Sequence, residues 1–285
     1  MYDFIYKIIY LRKKLLISDN IIDLNRIINV DETPVFSELI PDKTYNIKGA
    51  KNVIIDTNGN EKKHVTLILA ISGGGVKLAP VLVFKGKTDK NNEKRYNTLN
   101  VVKDKRIFIY FQDNGWINDF IFKKWIDNIF LDYQNNINKK CLLLLDRAPS
   151  HITSNILDHL KNNNIECTFI PGKLTRFLQP LDIGINKQFK SHLSNKYLLY
   201  EASKLTNTII ENQIKFNDKL SLSELDLFRL NLINWVLAIW EDKSLIKTSS
   251  ILDSFKKSTI TLSLDGSLDN EFEMLEEILK QYDKK

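Results

Sequence analysis

The chain has 285 residues, 43% of them hydrophobic and 27% charged, a balance typical of a globular protein that builds one large domain or one domain with appendages. No apolar run approaches the roughly 18 residues a membrane span needs. The start, MYDFIYKIIYLRKK, has charges inside its apolar stretch and no small-residue cleavage site, and Cys141 and Cys167 suit neither a disulfide framework nor a zinc spacing. An intracellular protein is expected, and a net charge of +6 with pI near 9.0 admits a nucleic-acid partner without requiring one.

Residues 1–25 place Phe4, Ile5, Ile8, Ile9, Leu11, Leu15 and Leu16 at helical spacing, and this helical segment is expected to pack on the body that follows. The run RIINVDETPVF then gives a short buried strand, Ile27–Val30, ending in Asp31, Glu32 and Thr33 with Pro34 closing it. Alternation along a strand sends Asp31 and Glu32 to opposite sides, so at most one should face a shared site directly. Val65–Ser72 and Lys77–Phe84, joined by Gly73, Gly74 and Gly75, read as a β-hairpin. No helix follows the glycines, which argues against a phosphate-cradling loop. From Lys85 to Arg106 the chain is polar and basic, a solvated loop or a contact for DNA phosphates.

Strand character returns over Arg106–Gln112, and Asp113, Asn114 and Gly115 turn into a helix over about residues 118–133. The stretch CLLLLDRAPSH follows at 141–151. Four leucines bounded by turn signals suit a strand buried on both faces at the centre of a sheet, and Asp146 stands at its carboxyl end, where open α/β sheets bind ligands. A strand-end aspartate can equally cap a helix, so its company decides its meaning. A helix near Ile152–Asn162, a strand Ile165–Ile170 and the loop KLTRFLQP lead to Asp182 in the first turn of a long helix with Leu181, Ile185, Phe189, Leu193 and Tyr197 inward. Leu222–Trp240 is another expected core helix, and Leu268–Tyr282 an acidic amphipathic one. Three parts result: a helical segment at 1–25, an α/β body at 26–200 and a helical C-terminal extension at 201–285.

A hairpin-rich first half followed by β-α-β-α-β is the element order of an α/β, ribonuclease H-like mixed sheet flanked by helices. In such a sheet the ends carrying Asp31 and Asp146 lie side by side. Three clustered carboxylates repel one another unless a cation sits among them, and Mg²⁺ or Mn²⁺ suits a carboxylate cluster at an open site. Two ions about 4 Å apart would stabilise the attacking and leaving oxygens of a phosphoryl displacement. The four histidines (His64, His151, His159, His192) show no zinc pattern.

NVDETP at 29–34, LLLLDRAPSH at 142–151 and LQPLDIGINKQFK at 178–190 resemble, in order, the three catalytic blocks of the DDE superfamily endonucleases of the pogo/Tigger type, a family that includes jerky-like and centromere-protein-B-like proteins. APVLVFKGK at 79–87 and the Gly-Trp pair at 115–116 match as well. The resemblance implies a nuclear transposase domain that cuts and rejoins DNA as a homodimer. It implies Asp31, Asp146 and Asp182 as catalytic ligands of two Mg²⁺ or Mn²⁺ ions, with Arg147, Lys173, Arg176, Lys187 and Lys190 available to DNA. Family members usually carry one or two helix-turn-helix units before this domain. Thirty residues precede Asp31, so sequence-specific reading of transposon ends is not expected of this chain. Arg147 stands where the family usually has Asn, and it could pair with Asp146 or hold a substrate phosphate. A transposase-derived nucleic-acid-binding protein without catalysis is the alternative reading, and a ribonuclease H-type hydrolase acting on RNA is a third.

Overall fold

The computed structural model describes residues 2–13, 17–18, 21–36, 64–87, 103–211 and 224–261. Helix α1 (Tyr2–Leu11) and a two-stranded ribbon, β1 (Ile17–Ser18) with β2 (Ile21–Ile22), precede the main sheet. Its strands are β3 (Ile27–Phe36), β4 (His64–Ser72), β5 (Val81–Lys85), β6 (Phe108–Gln112), β7 (Leu142–Leu145) and β8 (Glu166–Phe169), in the spatial order β6-β5-β4-β3-β7-β8. Only β4 runs against its neighbours, while β5–β6, β3–β7 and β7–β8 pair in parallel. The carboxyl ends of β3, β5, β6, β7 and β8 therefore share one edge of the sheet. This is the expected ribonuclease H-like mixed sheet, with β6 added beside β5.

Helices cover both faces. Leu142, Leu144, Leu67 and Leu69 face a layer that contains α5 (Thr175–Leu178), α6 (Asn186–Glu211), α7 (Glu224–Glu241) and α8 (Thr248–Lys257). Leu143, Leu145, Ile68 and Ala70 face α2 (Asp119–Trp125) and α4 (Ser154–Asn162). All four leucines of β7 are fully buried, which explains their continuous apolar run, and each such side chain contributes about 1.5–3 kcal/mol by leaving water. A π-helical turn, Ile126–Phe130, joins α2 to α3 (Leu131–Asn136), so the single helix expected over 118–133 is three consecutive pieces. Helix α6 passes through residue 200 without interruption, and Trp240 and Phe255 of the following helices belong to the same core as the sheet.

Two strand boundaries differ from the sequence-based expectation. Strand β3 does not stop at Val30: it stays in register with β4 through the pair Phe36↔His64. Strand β7 pairs only with Ile27–Asn29, so beyond that point one side of β3 is an open edge where Pro34 is tolerated. Strand β5 begins at Val81 rather than Lys77. Lys77 makes a single bridge to Ile71, and the chain then leaves the ladder ahead of Pro80.

The glycine turn of the β4–β5 hairpin is as expected, closed by the Ser72 amide donating to the Val76 carbonyl at 2.8 Å. Gly75 has φ +92°, and a Cβ there would lie 2.5 Å from the Thr248 methyl of α8. Gly75→Ala should therefore destabilise the fold by about 1–3 kcal/mol. Equilibrium urea unfolding measures this, and an unchanged midpoint would contradict it. The basic residues Lys90, Lys94 and Arg95 and the helix expected over Leu268–Tyr282 lie outside the described residues. Arg106 is committed to a two-pronged ion pair with Glu241.

Candidate active site

Strand β3 supplies two acids to two different faces. Asp31 follows Ile27 and Asn29 on the face packed by α6, whereas Glu32 follows Ile28 and Val30 on the α2/α4 face. Both acids take part in the site, because the β7 neighbour of β3 has ended and each can reach around that strand's end. As alternation requires, the two acids leave β3 on opposite faces, and Glu32 reaches Asp146 only through His151.

Asp31 is buried, with 7% of its surface exposed. Gln179 Nε2 donates to its Oδ1 at 2.7 Å and Asn186 Nδ2 to its Oδ2 at 2.6 Å. Burial, followed by the charges of Asp182 and Glu32, holds the Asp31 carboxyl well above the usual carboxylate range against those two hydrogen bonds. Asp182 lies in a π-helical turn, Leu181–Ile185, which leads directly into α6. That turn is seated on β3 by Asn29, whose Oδ1 accepts from the Leu181 amide at 3.1 Å while its Nδ2 donates to the Leu144 carbonyl at 3.3 Å. π-Helical turns inside α-helices are frequent at functional sites. Asp182 itself is exposed and accepts from Asn186 Nδ2 at 3.2 Å. One turn further along α6, the half-buried Lys190 senses both Asp31 and Asp182, although burial outweighs them and lowers its pKa.

Asp146 follows the last residue of β7 and is drawn toward the opposite face. His151, fully buried in the 3₁₀ turn Pro149–His151, donates from Nδ1 to Asp146 Oδ1 and from Nε2 to Glu32 Oε1, each at 2.7 Å. The Ala148 amide adds a bond to Asp146 Oδ1 at 3.0 Å, and the Phe122 ring packs against the imidazole with centroids 4.2 Å apart. A carboxylate at each ring nitrogen requires both nitrogens to donate, which is the imidazolium form. Burial opposes that charge, but Glu32 and Asp146 outweigh it and raise the His151 pKa to about 10. Burial likewise works to raise Asp146, and the His151 bond and charge outweigh it to pull that carboxyl down.

The site thus consists of two acid pairs, Asp31 with Asp182 and Glu32 with Asp146. They are joined through the adjacent residues 31 and 32 at the carboxyl end of the sheet. A DDE superfamily endonuclease family model matches residues 61–255, more than half of the chain and including Asp146 and Asp182. The chain belongs to this family. Mouse and human proteins named "Pogo transposable element with KRAB domain" are 24% and 25% identical over 262 and 259 residues, 89% and 88% of this chain. The human "Jerky protein homolog" is 23% identical over 181 residues, covering 60% of this chain and 30% of its own length. The chain spans 38% of the length of the two pogo-type relatives. Among solved structures, a mariner Mos1 paired-end complex with Mg is 16% identical with a TM-score of 0.46, covering 90% of this chain and 59% of that one.

Within this DDE domain the expected site residues are distributed as follows. Asp31, Asp146 and Asp182 all stand at the expected sheet edge. Arg147, Lys173, Arg176 and Lys187 are exposed after β7, after β8 and on α6, and Arg176 lies over the Phe177 ring at 4.9 Å. Asp146 takes its counter-charge from His151, and no ion pair joins it to Arg147 among the described residues. Glu32, His151, Asn29, Gln179 and Asn186 escaped sequence reasoning. A polar Asn inside the apolar run IINV was a signal for the first helix seat, and a His five residues after Asp146 was a signal for its brace.

The donor set fits a hard divalent cation. The three aspartates offer carboxylate oxygens only, and the buried Gln179 Oε1 and Asn186 Oδ1 beside Asp31 have no hydrogen-bond partner. Ligand atoms of Glu32, Asp146 and His151 also lie within 4.8 Å of one another, with each ring nitrogen of His151 at 2.7 Å from a carboxylate oxygen.

Proposed function

We propose that this DDE endonuclease domain cleaves DNA phosphodiesters and transfers strands, with Asp31, Asp146 and Asp182 as the ligands of two Mg²⁺ or Mn²⁺ ions. What supports the reading is that Asp31 and Asp146 stand toward the carboxyl ends of the neighbouring strands β3 and β7 and Asp182 at the head of α6, with Asp146 and Asp182 inside the span of the family match and Asp31 ahead of it. Bound there, the cations would activate the attacking oxygen and carry the charge on the leaving one. The protein's own residues do the rest. Asn186 and Gln179 hold Asp31, Asn29 seats the helix that bears Asp182, and His151 with the Ala148 amide engages Asp146 Oδ1, so that a ligand would take Oδ2. The exposed Arg147, Lys173, Arg176 and Lys187, with Lys190 beside the acids, supply positive charge for the DNA backbone. Residues 26–200 carry this chemistry in our reading, in a nuclear enzyme that acts as a homodimer.

The test is nicking of supercoiled plasmid by the full chain. The wild type should nick with Mg²⁺ or Mn²⁺ and not in EDTA, and Asp182→Ala should fall to background. Equal nicking by both proteins, or none by either at any metal concentration, would leave a DNA-binding fold without catalysis. Preferential cleavage of RNA–DNA hybrids would instead favour a ribonuclease.

A further inference from the structure

In the absence of metal, two buried or closely set carboxylates should push apart, yet Asp31 and Asp182 are held facing one side chain. Asn186 has two amide protons, and both are used: one on Asp31 Oδ2 at 2.6 Å, the other on Asp182 Oδ1 at 3.2 Å. Gln179 closes the other side of Asp31 at 2.7 Å and is anchored by the Val30 carbonyl at 3.4 Å. The two carboxamides are buried, Gln179 fully and Asn186 to 6% exposure, and the carbonyl oxygen of each lacks any partner. A buried acceptor left unpaired costs about 1–3 kcal/mol. Two such losses side by side are not explained by packing, since an apolar side chain of the same size would avoid them. They are explained if the amide protons are needed where they are.

We propose that Asn186 and Gln179 form a carboxamide clamp that presets Asp31 against Asp182 for a divalent cation, which makes Asn186 a positioning residue of the site. This rests on the cation reading above. A carboxamide suits the task because it donates to both acids without adding charge: a lysine would neutralise the pair and compete with the metal, and a third carboxylate would add repulsion. The spacing supports it, for Asp182, Asn186 and Lys190 recur every four residues along the helix that starts at the π turn. Outer partners that orient metal-binding carboxylates typically change affinity by about 10–100-fold when removed.

Mn²⁺ binding to the full chain, followed by the free-ion electron paramagnetic resonance signal, tests this without any turnover. Asn186→Ala should weaken Mn²⁺ binding about 10–100-fold while the circular dichroism spectrum is kept. In an Asp31→Asn background the same change should cost clearly less than in the wild type, because one of the two acids that Asn186 positions is already lost as a ligand, and an undiminished cost would overturn the clamp. A merely structural Asn186 would lower the melting temperature and leave Mn²⁺ affinity unchanged in the folded variant, which overturns the clamp alone. Wild type that binds no Mn²⁺ overturns the cation reading and the clamp with it. If Asn186→Ala does not fold, the ¹⁵N side-chain amide signals of Asn186 and Gln179 in the wild type decide: they should move as Mg²⁺ is added, and static signals overturn the proposal.

Discussion

His151→Ala should lower the stability of the metal-free protein by about 3–5 kcal/mol, the cost of breaking a buried charge network by removing one partner. For a chain of this size that is a fall in melting temperature of about 6–20 °C, measurable by circular dichroism in EDTA. The magnitude follows from the surroundings. The imidazole is fully buried, its two carboxylate partners have side chains only 13% and 25% exposed, and both bonds are 2.7 Å. Truncation leaves Glu32 and Asp146 facing a cavity with no cation between them. A loss below about 1 kcal/mol would mean that both acids relax into water, and the brace would not exist. The pH dependence has a definite sign. The folded His151 titrates at about 10 against an ordinary 6.5, so its contribution is complete below about 6.5 and lost as the pH rises toward 10. His151→Gln keeps hydrogen-bonding capacity without charge. The stability gap between wild type and that variant should therefore narrow from pH 6.5 to 10, and a constant gap would contradict the imidazolium assignment.

Asp146→Asn should reduce Mg²⁺-dependent nicking by about 10³-fold or more, whereas Glu32→Gln should reduce it only about 10–100-fold. The first figure corresponds to losing several kcal/mol of stabilisation of the developing charge, at 1.36 kcal/mol per decade. The second is what an outer partner costs when it acts through another residue, here through His151 and then Asp146. The comparison is informative because the two acids share one imidazole and differ chiefly in role. Rates from plasmid nicking under single-turnover conditions decide it. If Glu32→Gln were as inactive as Asp146→Asn, Glu32 would be a ligand in its own right and the set of three acids would have to become four.

The sheet was legible in the sequence because its signals are local. Leu142–Leu145 announce a strand buried on both faces, and Leu181, Ile185, Phe189 and Leu193 mark one face of a helix; all eight are fully buried as expected. Asp31 and Asp146 could be singled out because each stands where an apolar run stops, and Asp182 because it lies in the first turn of a long helix. The residues that hold them could not, because their function depends on partners far away in the chain. Gln179 meets Asp31 across a separation of 148 residues and His151 meets Glu32 across 119, and neither pair leaves a period or a spacing to detect. Strand β3 was read too short for a related reason: Asp31, Glu32 and Pro34 look like an ending, and only pairing with β4, set by the register of another segment, carries the strand on to Phe36.

The π-helical turn at Leu181–Ile185 opens the helix that continues as α6, so the residues at its head and those of the α-helix behind it differ in rotational phase. In an ordinary α-helix each residue advances by about 100°. The wider turn holds one residue more than the core stripe of Phe189 and Leu193 requires. Removing one residue, Gly184 for instance, would leave that stripe on the sheet and swing Asp182 by roughly 100° away from Asn186. Every other position in the segment would keep its amino acid. The bearing of the third acid is thus encoded as a count of residues, and this part of the chain should tolerate many replacements of type while being unforgiving of a change in length.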